Sequence, residues 1–529
     1  MNESTRSAAE YADKGAEYTS DYKAGQDNVK IIGMDVHNPV FGTSAFIILL
    51  FIVLALVFPA DAKETLVGAR TWSIETFDWL FMIGGNVFVL FCLALIFLPV
   101  GKIRLGGTTA KPEFSRISWL SMLFAAGMGI GLMFWSVAEP VAYYTDWYGT
   151  PLNAAANTPE GASAAMGATM FHWGLHPWAI YGVVALALAF FTYNKGLPLT
   201  IRSAFYPLLG ERVWGPIGHV IDIVAVLATI FGLATSLGLG ASQAAGGLNF
   251  LFDIDNTVAV QITIIAVVTA ITIFSVMRGL EGGVKLLSNV NMMIAAVLLL
   301  FVIITASFSN FVGNFAGVLT SYAENIIPLS NWVGREDETW YHGWTVFYWA
   351  WWVSWSPFVG MFIARVSKGR TVREFMIAVL LIPTLVSAVW MAAFGGSALD
   401  QIQNNVGELT KGVGDVSLAM FHMLENLPLA EISSFLAIVL VLVFFITSSD
   451  SGSLVIDSIT AGGKVDSPVQ QRVFWAVLEG LIAAVLLYGG GAEALTALQA
   501  GAITVGLPFT IILLFMCVSL YKGLKSEVY

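Results

Sequence analysis

Twelve apolar runs punctuate this chain, at about residues 42–60, 79–100, 118–143, 165–192, 217–249, 257–275, 289–309, 343–364, 373–397, 430–460, 472–489 and 495–521. A helix rises about 1.5 Å per residue, so ~17–20 apolar residues cross the ~30 Å hydrocarbon layer of a bilayer. Each run is therefore read as a membrane-spanning helix. An even number of crossings puts both chain ends on one side. Of the 25 Lys and Arg residues, all but Lys63, Arg70, Arg335 and Lys411 lie on that side: in the tail before the first run, in every second loop, or after the last run. The positive-inside rule then predicts that both termini are cytoplasmic. Residues 1–40 are polar, lack a cleavable leader pattern and read as a mobile cytoplasmic tail.

Composition agrees with this pattern. Charged residues make up 12% of the chain, against roughly 25% in soluble domains, and the mean hydropathy is +0.77. The fold class is thus an all-α polytopic membrane protein. The net charge of −11 does not point to a nucleic-acid partner, because much of the acid lies in the N-terminal tail and outer loops. Cys92 and Cys517 both lie in apolar runs and give neither a disulfide framework nor a metal spacing. His172 and His176 stand at i, i+4 but lack an intervening Glu and a third ligand, so no metal is expected there. No phosphate-cradling glycine loop suggests an ATP-driven pump, and no nucleophile–base pair suggests an enzyme.

Candidate chemistry lies within the spans. The third contains Gly127-Met128-Gly129-Ile130-Gly131. Close helix packing through Gly127 and Gly131 is one explanation. The other is a broken helix whose freed carbonyl and amide groups line a binding site. Gly129 lies eleven residues into its run, about 16 Å deep at 1.5 Å per residue, near mid-membrane. Trp352 in the eighth span, Trp173 to Tyr181 in the fourth, and Thr447 and Ser448 in the tenth lie at a similar level. Trp173, Trp178 and Tyr181 project within an arc of about 140°. Phe347, Trp351 and Trp355 stack at i, i+4, i+8, with Trp352 beside them. A lone tryptophan is usually packing or part of an interfacial belt, but belts sit at span ends. A mid-membrane cluster of aromatic faces instead suits a bulky organic cation, which attracts π-electrons but cannot be satisfied by hydrogen bonds. In the tenth span, Thr447, Ser448, Ser449, Asp450, Ser451 and Ser453 crowd into seven positions. Single hydroxyls normally bond their own backbone. Six with a buried acid read as a cation site or a polar hinge, and Asp450 and Asp457 are costly enough at this depth to be functional candidates. Bracing of local backbone is an equal alternative for Asp450.

These motifs together resemble the betaine/choline/carnitine transporter family over nearly the whole chain. The resemblance rests on Gly127–Gly131 followed by Glu139-Pro140, on His172-Trp-Gly-Leu-His-Pro-Trp-Ala-Ile-Tyr181, on the tryptophan run at 349–355 continuing to Arg365, and on Thr447-Ser-Ser-Asp450. It implies two inverted five-helix repeats of the LeuT-like kind, alternating access, and a homotrimer. The implied division is a tail at 1–40, two leading helices at 41–117, a first repeat at 118–310, an extracytoplasmic connector at 311–342, a second repeat at 343–521 and a short tail at 522–529. By position, the family's aromatic box for a trimethylammonium group falls on Trp173, Trp178, Tyr181 and Trp352. Met128, Gly129 and Gly131 stand beside it, and Trp351, Trp355 and Phe347 line the path or a second site. A sodium ion is implied between the third and tenth spans, held by the carbonyls of Ala125, Met128 and Phe444 and the hydroxyls of Thr447 and Ser448.

The expected function is sodium-coupled uptake of glycine betaine or a similar zwitterion across a bacterial inner membrane, without any other cofactor. Choline-type members carry an acid at the last glycine position, which here is Gly131. Carnitine-type exchangers place a positive side chain on the fifth span, and residues 217–249 contain none. A second sodium site is expected to be rearranged or absent, since Thr229 matches one of its hydroxyls but Leu233 stands at the other. The short tail after the last span argues against osmosensing through a long basic C-terminal helix. The alternative is a proton-coupled or exchange carrier of choline, carnitine or dimethylsulfoniopropionate. A channel is the rival from another class.

Overall fold

The computed structural model describes residues 18–126, 129–278 and 285–527. Its principal helices are α1 (Asn38–Val57), α2 (Pro59–Phe97), α3 (Arg116–Ala126), α4 (Ile130–Tyr144), α5 (Pro159–Trp173), α6 (Leu175–Tyr193), α7 (Pro216–Phe252), α8 (Val258–Arg278), α9 (Lys285–Thr305), α10 (Phe308–Leu329), α11 (Phe347–Val366), α12 (Val372–Gln403), α13 (Ala430–Thr460), α14 (Val469–Gly490) and α15 (Ala494–Lys525). Every one of the twelve apolar runs coincides with a helix or a broken pair of helices. Ten spans among the described residues are long and apolar enough to cross a membrane by length and composition alone, counting α5 and α6 as one. The third run falls short because it is split into α3 and α4. The eighth, α11, has 20 residues, but its tryptophans, tyrosine and serines lower its hydropathy.

The packing carries an inverted five-helix repeat. Shifting by five spans sends the contact of α6 with α11 onto that of α12 with α4, and the contact of α8 with α13 onto that of α14 with α7. The same shift sends the contacts of α9 with α13 and α12 onto those of α15 with α7 and α6. The pairs α7–α13 and α8–α14 map onto themselves. The fold is therefore all-α, with two intertwined repeats and α1 and α2 added at the front.

The chain departs from its sequence-based reading in three places. From residue 18 the tail is a strap rather than a mobile segment. Asn28–Ile31 (β1) pairs antiparallel with Met34–His37 (β2). Gly25 N–H donates to Gly462 O at 3.0 Å, the Asn28 amide to Ala461 O at 2.8 Å, and Asp35 is ion-paired with Lys464. The strap's other edge is Tyr22, stacked on Trp214 with centroids 4.3 Å apart, and His37, which lies 3.1 Å from the buried Arg202. Secondly, the fourth span breaks at Gly174. A side chain there would lie 2.6 Å from Met170 O and 2.7 Å from the Tyr322 hydroxyl. That hydroxyl accepts the Leu175 N–H at 2.9 Å and so satisfies a donor the break exposes. Thirdly, the segment supplying Tyr322 is itself helical: α10 lies against α5 and α12, with Val318 and Tyr322 buried and Ile327 exposed.

Candidate functional site

The break between α3 and α4 opens a cavity half-way along the bundle. Gly129 is extended (φ −172°, ψ 179°), and no side chain caps the start of α4. The N–H groups of Ile130, Gly131 and Leu132 therefore lack intrahelical acceptors, and these three residues line the cavity. The cavity holds roughly 510 Å³ of empty space counting its open mouth.

Its aromatic wall is the one read from the sequence. Trp173, Trp178, Tyr181 and Trp352 all line it, with Trp351, Trp355, Gly129 and Gly131. Trp352 meets Trp173 with ring centroids 4.9 Å apart at 78°, and Tyr181 at 6.1 Å and 81°. Trp178 meets Tyr181 at 5.2 Å and 77°. Near-perpendicular rings make walls rather than a stack. Trp351 runs parallel to Trp352 at 4.9 Å. Phe347 does not line the cavity: it is fully buried behind Trp351, stacked at 5.4 Å. Met128 lies outside the described residues. The sequence does not single out Ala126, Leu132, Pro177, Ser236, Val359 or Ser387, which also line it. No lining residue is charged.

One buried acid sets the wall in place. Glu139, on α4, is fully buried. Its carboxylate accepts from Trp173 Nε1 (2.7 Å), Tyr348 Oη (2.6 Å), Tyr143 Oη (2.9 Å) and His172 Nδ1 (2.8 Å). His172 in turn bonds Thr345 through Nε2 (2.9 Å), and its carbonyl accepts Trp352 Nε1–H (2.9 Å). Four donors satisfy carboxyl oxygens that would be costly to bury unpaired. The two principal indoles are thus fixed, directly or through His172, by one carboxylate. On the opposite wall Trp351 Nε1–H reaches Ser236 Oγ (3.2 Å), and Trp355 Nε1–H reaches Gly232 O (2.8 Å). Gly131 is where two walls meet: a side chain there would lie 2.6 Å from Trp351 and 2.9 Å from Trp173.

Of the expected ion ligands, Phe444, Thr447 and Ser448 lie close together on α13 and Ala125 lies on α3. Thr447 Oγ1 donates within α13 to Val443 O (2.9 Å) and Phe444 O (3.2 Å), and Thr447 and Ser448 are half-buried. Ala125, also half-buried, ends α3, which packs on α11 and α12, while α4 meets α13. Asp450, a candidate from the sequence, is instead a brace. It accepts from Arg472 Nη2 (3.1 Å) and Ser275 Oγ (2.7 Å).

An aromatic cavity at the crossing of two inverted repeats, reached through a broken helix, defines a membrane solute carrier. Comparison with known proteins gives the family. Residues 39–529 match the model for BCCT, the betaine/carnitine/choline family transporters. The chain is 64% identical over 97% of its length to glycine betaine transporter 1 of Vibrio parahaemolyticus, covering 99% of that protein. It is 63% identical over 96% of its length to a glycine betaine/proline/choline/ectoine transporter of the same organism, covering 91% of it. It is 43% identical over 89% of its length to the glycine betaine transporter OpuD of Bacillus subtilis, covering 91% of it. The chain belongs to the BCCT family and is a multi-pass transporter, not an enzyme.

Proposed function

We propose that this protein imports glycine betaine or a close zwitterionic analogue by alternating access, driven by sodium. It would do so as a homotrimer in a bacterial inner membrane, with both termini cytoplasmic. The observation that carries the substrate reading is a cavity whose described lining is uncharged and combines two unlike kinds of group. Aromatic faces from Trp173, Trp178, Tyr181 and Trp352 suit a trimethylammonium group. The free amides at the start of α4 suit a carboxylate, because a helix N-terminus favours negative charge. A bare cation would leave those amides unused, which favours betaine over choline. The names of three relatives, each including glycine betaine, point the same way.

Sodium coupling is supported by the oxygen set of Ala125, Phe444, Thr447 and Ser448 and by the lack of Lys or Arg in α7. Leu233 packs against Gly452, so hydrocarbon fills the place of a second hydroxyl near Thr229, whose own hydroxyl bonds Ala225 O at 2.7 Å. That supports one sodium at Thr447 and Ser448 over a second near Thr229.

The test is uptake of labelled glycine betaine into liposomes holding the purified protein. An inward sodium gradient should drive accumulation, and N-methylglucamine in its place should abolish it. Uptake equal in both buffers overturns the sodium reading. Choline or carnitine outcompeting betaine overturns the substrate reading.

A further inference from the structure

We propose that Glu479 is an exchangeable proton-binding site inside the helix bundle, carrying its proton in the conformation described here. Two acids of one type and one burial differ in their partners. Glu139 and Glu479 are both fully buried. Glu139 receives four hydrogen bonds. Glu479, ten residues into α14, receives one, from Ser449 Oγ at 2.9 Å, and its Oε1 has no partner. An ionised carboxylate in a membrane interior needs several donors or a counter-ion, and burying it without them is costly. Binding a proton removes that cost. Glu139 is surrounded by donors, and Glu479 lacks the donors a charge would need.

Among the described residues no Lys, Arg or His bonds Glu479. Arg70 of α2 has an unpartnered Nε but makes no bond to Glu479, and β2, also packed on α14, brings only Asp35, ion-paired with Lys464, and His37, beside Arg202. Of the helices packed against α14, α1 carries no titratable group. From α8 comes Arg278, which is exposed and lies over Phe274. From α7 come His219 and Asp222, with Asp222 locked to Arg202 at 3.2 Å. In α15, Lys522 and Lys525 occupy the last turn, and α2 meets α14 beside Lys63, which is ion-paired with Glu493. From α13 come only acids near Glu479, Asp450 and Asp457. The guanidinium of Arg472, at the start of α14, is spent on Asp450. A second observation marks the seam between α8, α13 and α14 as a place for a proton or a water. Thr269 lies against Gly480, Ser275 bonds Asp450, and Thr272 between them is fully buried with an unpartnered hydroxyl. Ser449 also adjoins Ser448 of the proposed ion site. The state of Glu479 is therefore placed to bias that site, a consequence that rests on the sodium reading; the proton itself does not.

The test is infrared spectroscopy of the purified full-length protein in lipid, without substrate. A protonated-carboxyl C=O band is expected that disappears in Glu479→Gln, persists in Asp457→Asn and shifts on transfer to D2O. Ser449→Ala keeps the acid but removes its one donor, so it must move the band. Spectra unchanged by Glu479→Gln, a band unmoved by Ser449→Ala, or a band that never exchanges in D2O would each overturn the proposal. None of these readouts depends on betaine or sodium binding.

Discussion

Removing the central indole of the aromatic wall tests the substrate site most sharply. Trp352 is 7% exposed and touches Trp173, Tyr181 and Trp351. Trp352→Leu removes a π-face and the hydrogen bond to His172 O. A desolvated cation–π contact is worth about 2 kcal/mol, so affinity for glycine betaine should fall about thirtyfold. The lost hydrogen bond is a separate matter. It leaves a buried carbonyl short of a donor at a cost of about 1–3 kcal/mol, paid by the free and the bound protein alike. Trp352→Phe loses the same hydrogen bond but keeps an aromatic face. The expected order of affinity is therefore wild type, then Phe, then Leu, read by calorimetric titration of purified protein. Gel filtration and thermal unfolding would check that both variants fold. If Leu and Phe bind equally, and both within about threefold of wild type, a difference under ~1 kcal/mol, the π-face reasoning is refuted.

Three further outcomes follow from the same geometry. Glu139→Gln offers one acceptor and two unwanted donors to four hydrogen bonds, each worth about 1.5–3 kcal/mol when made to a charge; thermal unfolding should show a loss of at least ~3 kcal/mol together with weaker betaine binding. Gly131→Ala puts a methyl 2.6 Å from Trp351 and 2.9 Å from Trp173; overpacking of about 1–3 kcal/mol should displace the rings, shift tryptophan emission and weaken binding about tenfold, and an unchanged affinity would contradict it. The strap should loosen in acid. His37 is pushed from 6.5 down to about 4, mainly by burial and then by Arg202 and His219. The free tail therefore takes up the proton more readily than the docked strap. Docking is complete above pH 6.5 and is lost as pH falls from 6.5 toward 4; hydrogen exchange over residues 18–37 should rise across that window, and less so in His37→Gln.

Much of the site was legible because membrane burial writes itself into composition. Tryptophans at mid-span do not suit an interfacial belt, and the depths of Gly129, Trp173 and Trp352 along their runs bring them to one level. The glycine run marked the α3–α4 break because several glycines weaken a helix at one place. The break at Gly174 was not read, because its cause is remote: Tyr322, on a different helix, both excludes a side chain and accepts the freed N–H. Glu139 was noted only as part of a motif. An acid in an apolar span was signal enough to ask what it binds, but its four donors come from α4, α5 and α11 and cannot be paired from sequence alone. The helical character of α10 was available in the spacing of Val318, Tyr322 and Leu329, all buried, though the segment read as a connector. The repeat symmetry appears only in the packing pairs, since the two halves do not resemble each other visibly in sequence.

The central claim is a zwitterion held by aromatic faces next to a sodium site. Its most direct test is the intrinsic tryptophan fluorescence of the purified protein during titration with glycine betaine, with and without sodium. Saturable quenching that requires or is strongly tightened by sodium is expected, with choline and carnitine weaker. Quenching by choline or carnitine that is indifferent to sodium would contradict it.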